Sequence, residues 1–386
     1  MMEIELFDKN NIDQLHWPEN EEAFLVRSYL LPMVKEGVKA YISNVETNLY
    51  LLRINATILP LTVNDRQYDN SYLTSNYFPI KYLEEQNSKR RGLLKPILRS
   101  LIQSVGLFLK GIKINKVVIV NNWLLTTNIY PKLTAKEINA LTDFLSLRFP
   151  DHLLVFRSLN TRKCGELTQW LEDKHYRLMF ARNVCIYDPE QRENFSSKVF
   201  YHHRRDRRLI QEEKYEIVRY ETLTQEEIKR LLQLYGELYL KRHTQYSPHF
   251  TAKFLKEAQE KEILQLVGLK KEGTIFGVIG FIEREKTLIA PFCGYEHATE
   301  EAGHLYRMLT ILAIDEAEKR EVLLNDGSGG EAPKHYRGMK SFPEYVALYD
   351  RHLPVHRRLI WNLAERIVRR VSHKRAPFQQ KIMDSS

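Results

Sequence analysis

Cysteine is scarce in this chain. Cys164, Cys185 and Cys293 are odd in number and show no CxxC spacing, so neither a zinc site nor a disulfide framework is indicated, and reduced thiols in a cytoplasmic setting are the expectation. Long apolar runs are also missing. The most apolar helical stretch, 93–109, is interrupted by Lys95, Pro96, Arg99, Gln103 and Ser104, short of the ~20 apolar residues a membrane span requires. The start, Met1-Met2-Glu3-Ile4-Glu5, lacks the basic segment and apolar run of a signal peptide. There is no nucleophile elbow, no Walker A motif and no metal-ligand spacing, which leaves hydrolase, nucleotide-hydrolysing and metal-dependent chemistry without a signal.

What is present is a folded chain. Its 386 residues exceed the size of one small core, and 43% hydrophobic with 11% aromatic residues suffice to bury more than one. Lys plus Arg outnumber Asp plus Glu by 58 to 49, and the resulting +9 favours an anionic partner: a nucleotide cofactor, RNA or an anionic surface.

Residues 38–45, 48–54 and 57–63 are β-rich runs separated by short polar breaks, which reads as a three-strand antiparallel meander. Residues 68–77, rich in hydroxyls and tyrosine, suit either a lining segment or an ordinary loop. Lys116-Val-Val-Ile-Val120 is a buried-strand pattern that ends in the polar pair Asn121-Asn122. Thr134 with Glu137, and again Thr224 with Glu227, are capping boxes opening helices. Strands are expected over 153–156 and 176–187, a short helix over 166–171, a basic helix over 198–214, and a second helix start at Thr251. A second meander, 263–269, 274–282 and 287–295, leads into a helix over 301–320. The C-terminal segment 355–371 carries Leu359, Ile360, Leu363, Ile367, Val368 and Val371 as one apolar stripe among arginines. Docking on the second half is its expected use, with an anionic membrane surface or RNA as the alternative.

Residues 322–345 draw the most attention. Val322 to Leu324 end a buried strand, Asn325-Asp326 stop it, and Gly327, Gly329 and Gly330 bring backbone into the open before Lys334-His335-Tyr336-Arg337. Polar groups delivered to a strand-end rim are where open α/β sheets place ligands. Asp326 as a loop cap, Lys334 as a solvated cation and Tyr336 as packing are the structural alternatives, and His335 is given no role.

The series Arg204-Arg205-Asp206-Arg207-Arg208, Leu234-Tyr-Gly-Glu-Leu-Tyr239, Gly277-Val-Ile-Gly280-Phe281, Cys293-Gly-Tyr295, then Leu324-Asn-Asp-Gly327 and Lys334 to Gly338, resembles the GNAT-type acyltransferase domain of FemAB-like proteins over about 195–353. These carry two such domains in tandem. The resemblance implies an α/β (α+β) fold of two units, each a mixed, largely antiparallel sheet flanked by helices. Their expected bounds are 1–190 and 216–353, joined by a basic linker helix at 191–215 and followed by a basic helix and tail at 354–386.

The resemblance further implies an acyltransferase. In that family the meander's central strand splays from its neighbour to admit a thioester arm, which places Gly280, Phe281 and Tyr306 beside an acyl-CoA or acyl-carrier co-substrate, while a helix N-terminus receives the pyrophosphate. Here that helix begins near residues 298–304, without the usual glycine-spaced loop and with Glu300 and Glu301 where anions should land. Asp326 would orient or deprotonate the amine; Lys334 and Arg337 would hold an anionic substrate or developing charge. Tyr295 or Tyr336 would protonate the leaving group, and Asn325, Gly327, Ser328 and Gly329 would contact substrate. No metal is implied. An aminoacyl-tRNA-dependent transferase acting on a peptide or cell-wall precursor, and a non-catalytic binding module, stay open.

Overall fold

Runs rich in Val, Ile and Leu recur along the chain, and the computed structural model, which describes residues 3–298 and 302–383, joins them all into one twelve-stranded sheet. In chain order the strands are β1 (Ile4–Phe7), β2 (Asn48–Ile54), β3 (Thr57–Asn64), β4 (Val117–Val120), β5 (Leu153–Asn160), β6 (Arg177–Tyr187), β7 (Glu216–Tyr220), β8 (Gln265–Lys271), β9 (Thr274–Arg284), β10 (Thr287–Tyr295), β11 (Leu323–Asn325) and β12 (Lys340–Tyr349). In space the order is β1-β2-β3-β4-β5-β12-β6-β11-β10-β9-β8-β7. Neighbours are antiparallel except β4 with β5 and β10 with β11. It is the mixed, largely antiparallel sheet flanked by helices that was expected.

The order reads the same from both edges. β1 to β5 run inward from one side and β7 to β11 from the other, while the last strand of each half, β6 and β12, has changed places. β12 pairs with β5 from Glu344↔Asn160 to Tyr349↔Leu154, and with β6 from Lys340↔Ile186 to Leu348↔Arg177. Arg182 with Glu344 at 2.7 Å and Arg177 with Asp350 at 3.0 Å bind the exchanged strands by charge.

The helices are α1 (Glu21–Glu36), α2 (Phe78–Ser88), α3 (Leu94–Gly111), α4 (Ala135–Arg148), α5 (Gly165–Asp173), α6 (Ser197–Glu212), α7 (Gln225–Tyr235), α8 (Ala252–Glu260), α9 (Ala302–Arg320), α10 (Glu331–His335) and α11 (Val355–Met383), with a π-helical segment at Gly236–His243 continuing α7. Both capping boxes form, so α4 and α7 start where the sequence says. Thr251 caps α8 through the Phe254 amide. One large core cluster joins α1 of the first half to α7 and α8 of the second, with Leu30, Leu231 and Phe254 among its members. No described helix is long and apolar enough to cross a membrane.

Two expectations are corrected. Residues 38–45 form no strand: Val38, Tyr41, Ile42 and Val45 are buried, but their spacing suits a tight turn, and 38–40 are a 3-10 helix. The first meander is completed instead by β1, which pairs with β2. α11 docks on β6 and on the first half through Trp361, Arg357 and Glu365, while Leu359, Leu363 and Ile367 of the presumed docking stripe face solvent. Val371 lies outside the described side chains. The polar pair Asn121-Asn122 is buried structure: Asn121 donates to Ile129 O at 2.8 Å and Asn122 to Thr62 Oγ1 at 2.8 Å.

Trp123, which follows that pair, is stacked on Tyr29 at 5.9 Å and lies under the Arg284 guanidinium at 3.5 Å, so it holds α1, the β4 exit and β9 together. Trp123→Ala is expected to lower unfolding free energy by about 3–5 kcal/mol in urea titrations. A loss below ~1 kcal/mol would show that this contact is dispensable.

Candidate active site

The parallel pair β10 and β11 stays in register for only three residues, Thr287↔Leu323 to Ile289↔Asn325. Beyond them β10 bulges between Ile289 and Phe292 and continues along β9 to Tyr295. The chain leaving β11 follows β6 instead: the Asp326 amide donates to Cys185 O at 3.0 Å, and the Cys185 amide to Gly327 O at 2.9 Å. A cleft therefore opens between the outer part of β10 and Asp326-Gly327. The splay expected at the meander's central strand is not found there, and the divergence lies between β10 and β11 instead. β9, the central strand of the meander, keeps both its neighbours.

Lys334 of α10 reaches back into the cleft, donating to Asp326 O at 2.7 Å and pairing with its carboxylate at 3.0 Å. It is 5% exposed. Burial works against the ammonium, but the Asp326 carboxylate, with Tyr306 and Cys185, outweighs burial and holds the Lys334 pKa above its ordinary value. Around this pair stand Cys293 of β10, Tyr306 of α9 and Tyr239 of the π-helical segment. Burial, then Asp326, pushes the Cys293 thiol up to about 12, so it is no thiolate nucleophile. The Tyr306 phenol is raised by burial and by Asp326, and its hydroxyl is buried without a hydrogen-bond partner. Tyr239 is raised well above its ordinary value by burial, then by Cys293, Tyr72 and Asp326. These phenols stay protonated near neutral pH and act as donors.

Gly294 allows this wall to close. A Cβ there would meet the backbone of Leu234 and Tyr235 at 2.5 Å, so only glycine lets α7 lie directly on β10. The π-helical continuation of α7 then carries Tyr239 to the cleft and Arg242 to its outer end. Arg242, Tyr295, His297, Gly303 and Tyr306 line an open cavity of about 500 Å³ beside the start of α9. The Tyr295 ring lies tilted against His297 with centroids 4.3 Å apart, and its phenol is pushed up to about 12 by burial and the nearby Cys293. Thr299, Glu300 and Glu301, where the phosphate site was expected, lie outside the described residues.

The remaining candidates lie elsewhere. Arg337 is buried, donates to Asp206 from Nε at 2.7 Å and from its terminal nitrogen at 2.6 Å, and also bonds Pro333 O. Asp206 in turn accepts from Arg307 at 2.8 Å, so one buried carboxylate links α6, α9 and the turn after α10. Tyr336 is half exposed on the α6 side, stacked on His202 at 5.6 Å with Lys198 over its ring. Phe281 is core, and the space beside Gly280 is filled by Leu264 and Leu266. Ser328 and Gly329 are exposed, while Asn325 is buried and accepts from the Gly327 amide at 3.0 Å. Tyr239, Cys293 and Arg242 were given no role from the sequence, although Leu234 to Tyr239 and Cys293-Gly-Tyr295 stand within the quoted series. Among the described residues no group of three His, Cys, Asp or Glu is placed to hold a metal.

A second charged group sits at the exchanged strands. Arg157 of β5 donates to Leu73 O at 2.6 Å and, among the described residues, has no carboxylate at ion-pair distance, while Arg182 of β6 pairs with Glu344, whose second oxygen has no partner among them. Tyr72, from the hydroxyl-rich tract 68–77, adjoins them. Burial raises its pKa and the two arginines counter this. Tyr72 and Asp326 both act on Tyr239, which therefore stands between the two charged groups.

No family model matches the sequence, and no curated protein does. Among solved structures the chain is similar to L-PGS from Bacillus licheniformis, at 17% identity and TM-score 0.41, over 60% of this chain and 76% of that one. It is similar to FemX at 10% identity and TM-score 0.41, over 59% and 84%. A tandem GNAT protein from the clavulanic acid biosynthesis pathway aligns at 7% identity and TM-score 0.38, over 90% and 98%. All three likenesses are of outline only and distant in sequence.

His203, buried on α6, bonds Arg337 O at 3.0 Å and is held below the ordinary histidine pKa by burial. As pH falls through the ordinary histidine range, the unfolded chain takes up a proton that folded His203 refuses, so stability declines with falling pH. His203→Gln is expected to flatten that decline, read as urea midpoints across a descending pH series; an unchanged slope would remove His203 from the account.

Proposed function

We propose that this chain is an N-acyltransferase that moves an acyl group from a thioester, acyl-CoA or an acyl carrier protein, to an amine. The observation that carries the reading is the buried Lys334–Asp326 pair at the mouth of the β10/β11 cleft. An amine attacks the thioester carbonyl, the N–C bond forms and the C–S bond breaks. The amine's proton passes toward Asp326, and the departing thiolate takes one from a phenol of the cleft, Tyr239, Tyr295 or Tyr306. Lys334 spends two of its N–H groups on Asp326 and keeps one for the oxyanion.

The donor's fit is supported by Arg242 and the first turn of α9 at the cavity of about 500 Å³, which suit a phosphate group. Arg157 and Arg182 suit an anionic portion of the acceptor. Arg337 acts as a positioning residue, since it fixes the turn after α10 through Asp206. The reading assigns the chemistry to 216–353 and places the protein in the cytoplasm. The first unit, 1–190, supplies β6 and the Arg157 group.

The tRNA-dependent alternative is favoured by the exposed Arg204, Arg205 and Arg208 of the basic α6. Peripheral contact of 355–375 with an anionic surface is compatible with either chemistry.

Screening thioesters and aminoacyl-tRNAs against amine mixtures by mass spectrometry identifies the reaction. Asp326→Asn and Lys334→Met are each expected to lower kcat by about 10²–10³-fold. CoA is expected to raise the melting temperature, and Arg242→Gln to reduce that rise. Activity lost on RNase treatment would transfer the assignment to the tRNA-dependent enzyme. No turnover with any donor, and a cellular effect unaltered in both variants, would leave a binding module.

A further inference from the structure

Large apolar side chains on a soluble surface are ordinarily scattered, whereas here they gather on two neighbouring helices. On α3, Leu94, Ile97, Leu101, Val105 and Phe108 follow one another at spacings of three and four and are 68, 64, 60, 42 and 60% exposed. The helix docks by the adjoining stripe, Leu98, Ile102, Gly106 and Leu109, with Gly106 pressed against Tyr77. On α11, Val355, Leu359, Leu363 and Ile367 recur every fourth residue and are also exposed. The inner faces of both helices meet in one small cluster, where Ile102, Leu109, Ile360 and Trp361 pack around Tyr77, Ile80 and Ile114. Arg357 of α11 donates to Lys113 O, just beyond α3, at 3.0 Å. The two apolar stripes therefore adjoin and face away from the same support.

The charges on and beside the two stripes are mostly basic, and the acids of neighbouring α2 are paired, Glu85 with Lys89 at 3.2 Å and Glu84 with Lys81 at 3.5 Å. No acidic residue stands between Glu85 and Glu137, while Lys89, Arg90, Arg91 and Arg99 are exposed at α3. On α11 Arg366, Arg369 and Arg370 are exposed, and Glu365, the single acid of 355–370, is bound to Arg177. A second copy would set cationic rim against cationic rim, and a nucleic acid would leave the leucines in water. An anionic bilayer answers both features, since acyl chains receive the apolar stripe and lipid phosphates the rim.

We propose that α3 and α11 together form a docking face for an anionic phospholipid bilayer, with both helices lying in the plane of the headgroups. The face stands apart from the cleft, and its assignment does not depend on the transferase reading.

The full chain is to be sedimented with vesicles of phosphatidylcholine alone and of phosphatidylcholine mixed with phosphatidylglycerol. Binding is expected to the mixed vesicles, about tenfold or more above the neutral ones, and to weaken with salt. Leu101→Gln with Phe108→Gln, and separately Arg90→Gln with Arg91→Gln, are each expected to reduce it about tenfold while leaving the melting temperature unchanged, because all four side chains are exposed. No sedimentation of the wild type with mixed vesicles overturns the proposal, as does undiminished binding by both variants. A wild-type dimer that the Leu101→Gln, Phe108→Gln variant abolishes, without vesicle binding, gives the face to a second copy. RNA binding without vesicle binding gives it to nucleic acid.

Discussion

The pairing of β12 with both β5 and β6 is the constraint from which the remaining architecture follows. Neither half holds a complete sheet from its own sequence, because the strand that flanks β5 comes from the second half and the strand that flanks β11 from the first. The cleft is a product of this exchange. Asp326 leaves β10 because the Cys185 backbone of β6 binds it on the other side. Contacts of such sequence separation form late and slow folding, since loop closure precedes the reward of pairing.

Electrostatics then separates two charge clusters of different organisation. Asp206 is enclosed between Arg307 and Arg337, with both carboxylate oxygens bonded by guanidinium groups. Removing that acid would leave two arginines buried without a counter-charge, a change of the kind that costs about 3–5 kcal/mol. The Lys334–Asp326 pair is organised differently. Its ammonium has a donor in reserve, and its surroundings are phenols and a thiol that burial keeps protonated. The first cluster is saturated by guanidinium groups, and the second shares its surroundings with Tyr306, which lines the cavity beside α9.

Local signals were legible in the sequence and distant partnerships were not. The capping boxes at Thr134 and Thr224 are complete within four residues, and both helices begin there. Asp326 and Lys334 are eight residues apart in one loop, so their convergence could be anticipated. Arg337 was assigned to substrate because its partner Asp206 lies 131 positions away, in a helix whose basic residues suggest a solvated face. Tyr239 and Arg242 reach the site through a π-helical segment that periodicity does not announce. β12 escaped notice because Lys340, Ser341, Pro343 and Glu344 break any apolar alternation, and only a strand on each side makes that segment extended. The apolar stripe of α11 was legible as a stripe, but amphipathicity does not say which face is covered.

Gly294 bears on how the cleft is held. With β10 and the backbone of α7 in direct contact at that residue, strand and helix form a single wall, and Tyr239 and Cys293 belong to it. The opposite side is held differently: Gly327, Gly329 and Gly330 all have positive φ, and the loop they form hangs between β11 and α10. The two sides are therefore held by different means: one by a strand–helix contact with no room for a side chain, the other by a glycine turn that Lys334 and Arg337 anchor through Asp326 and Asp206.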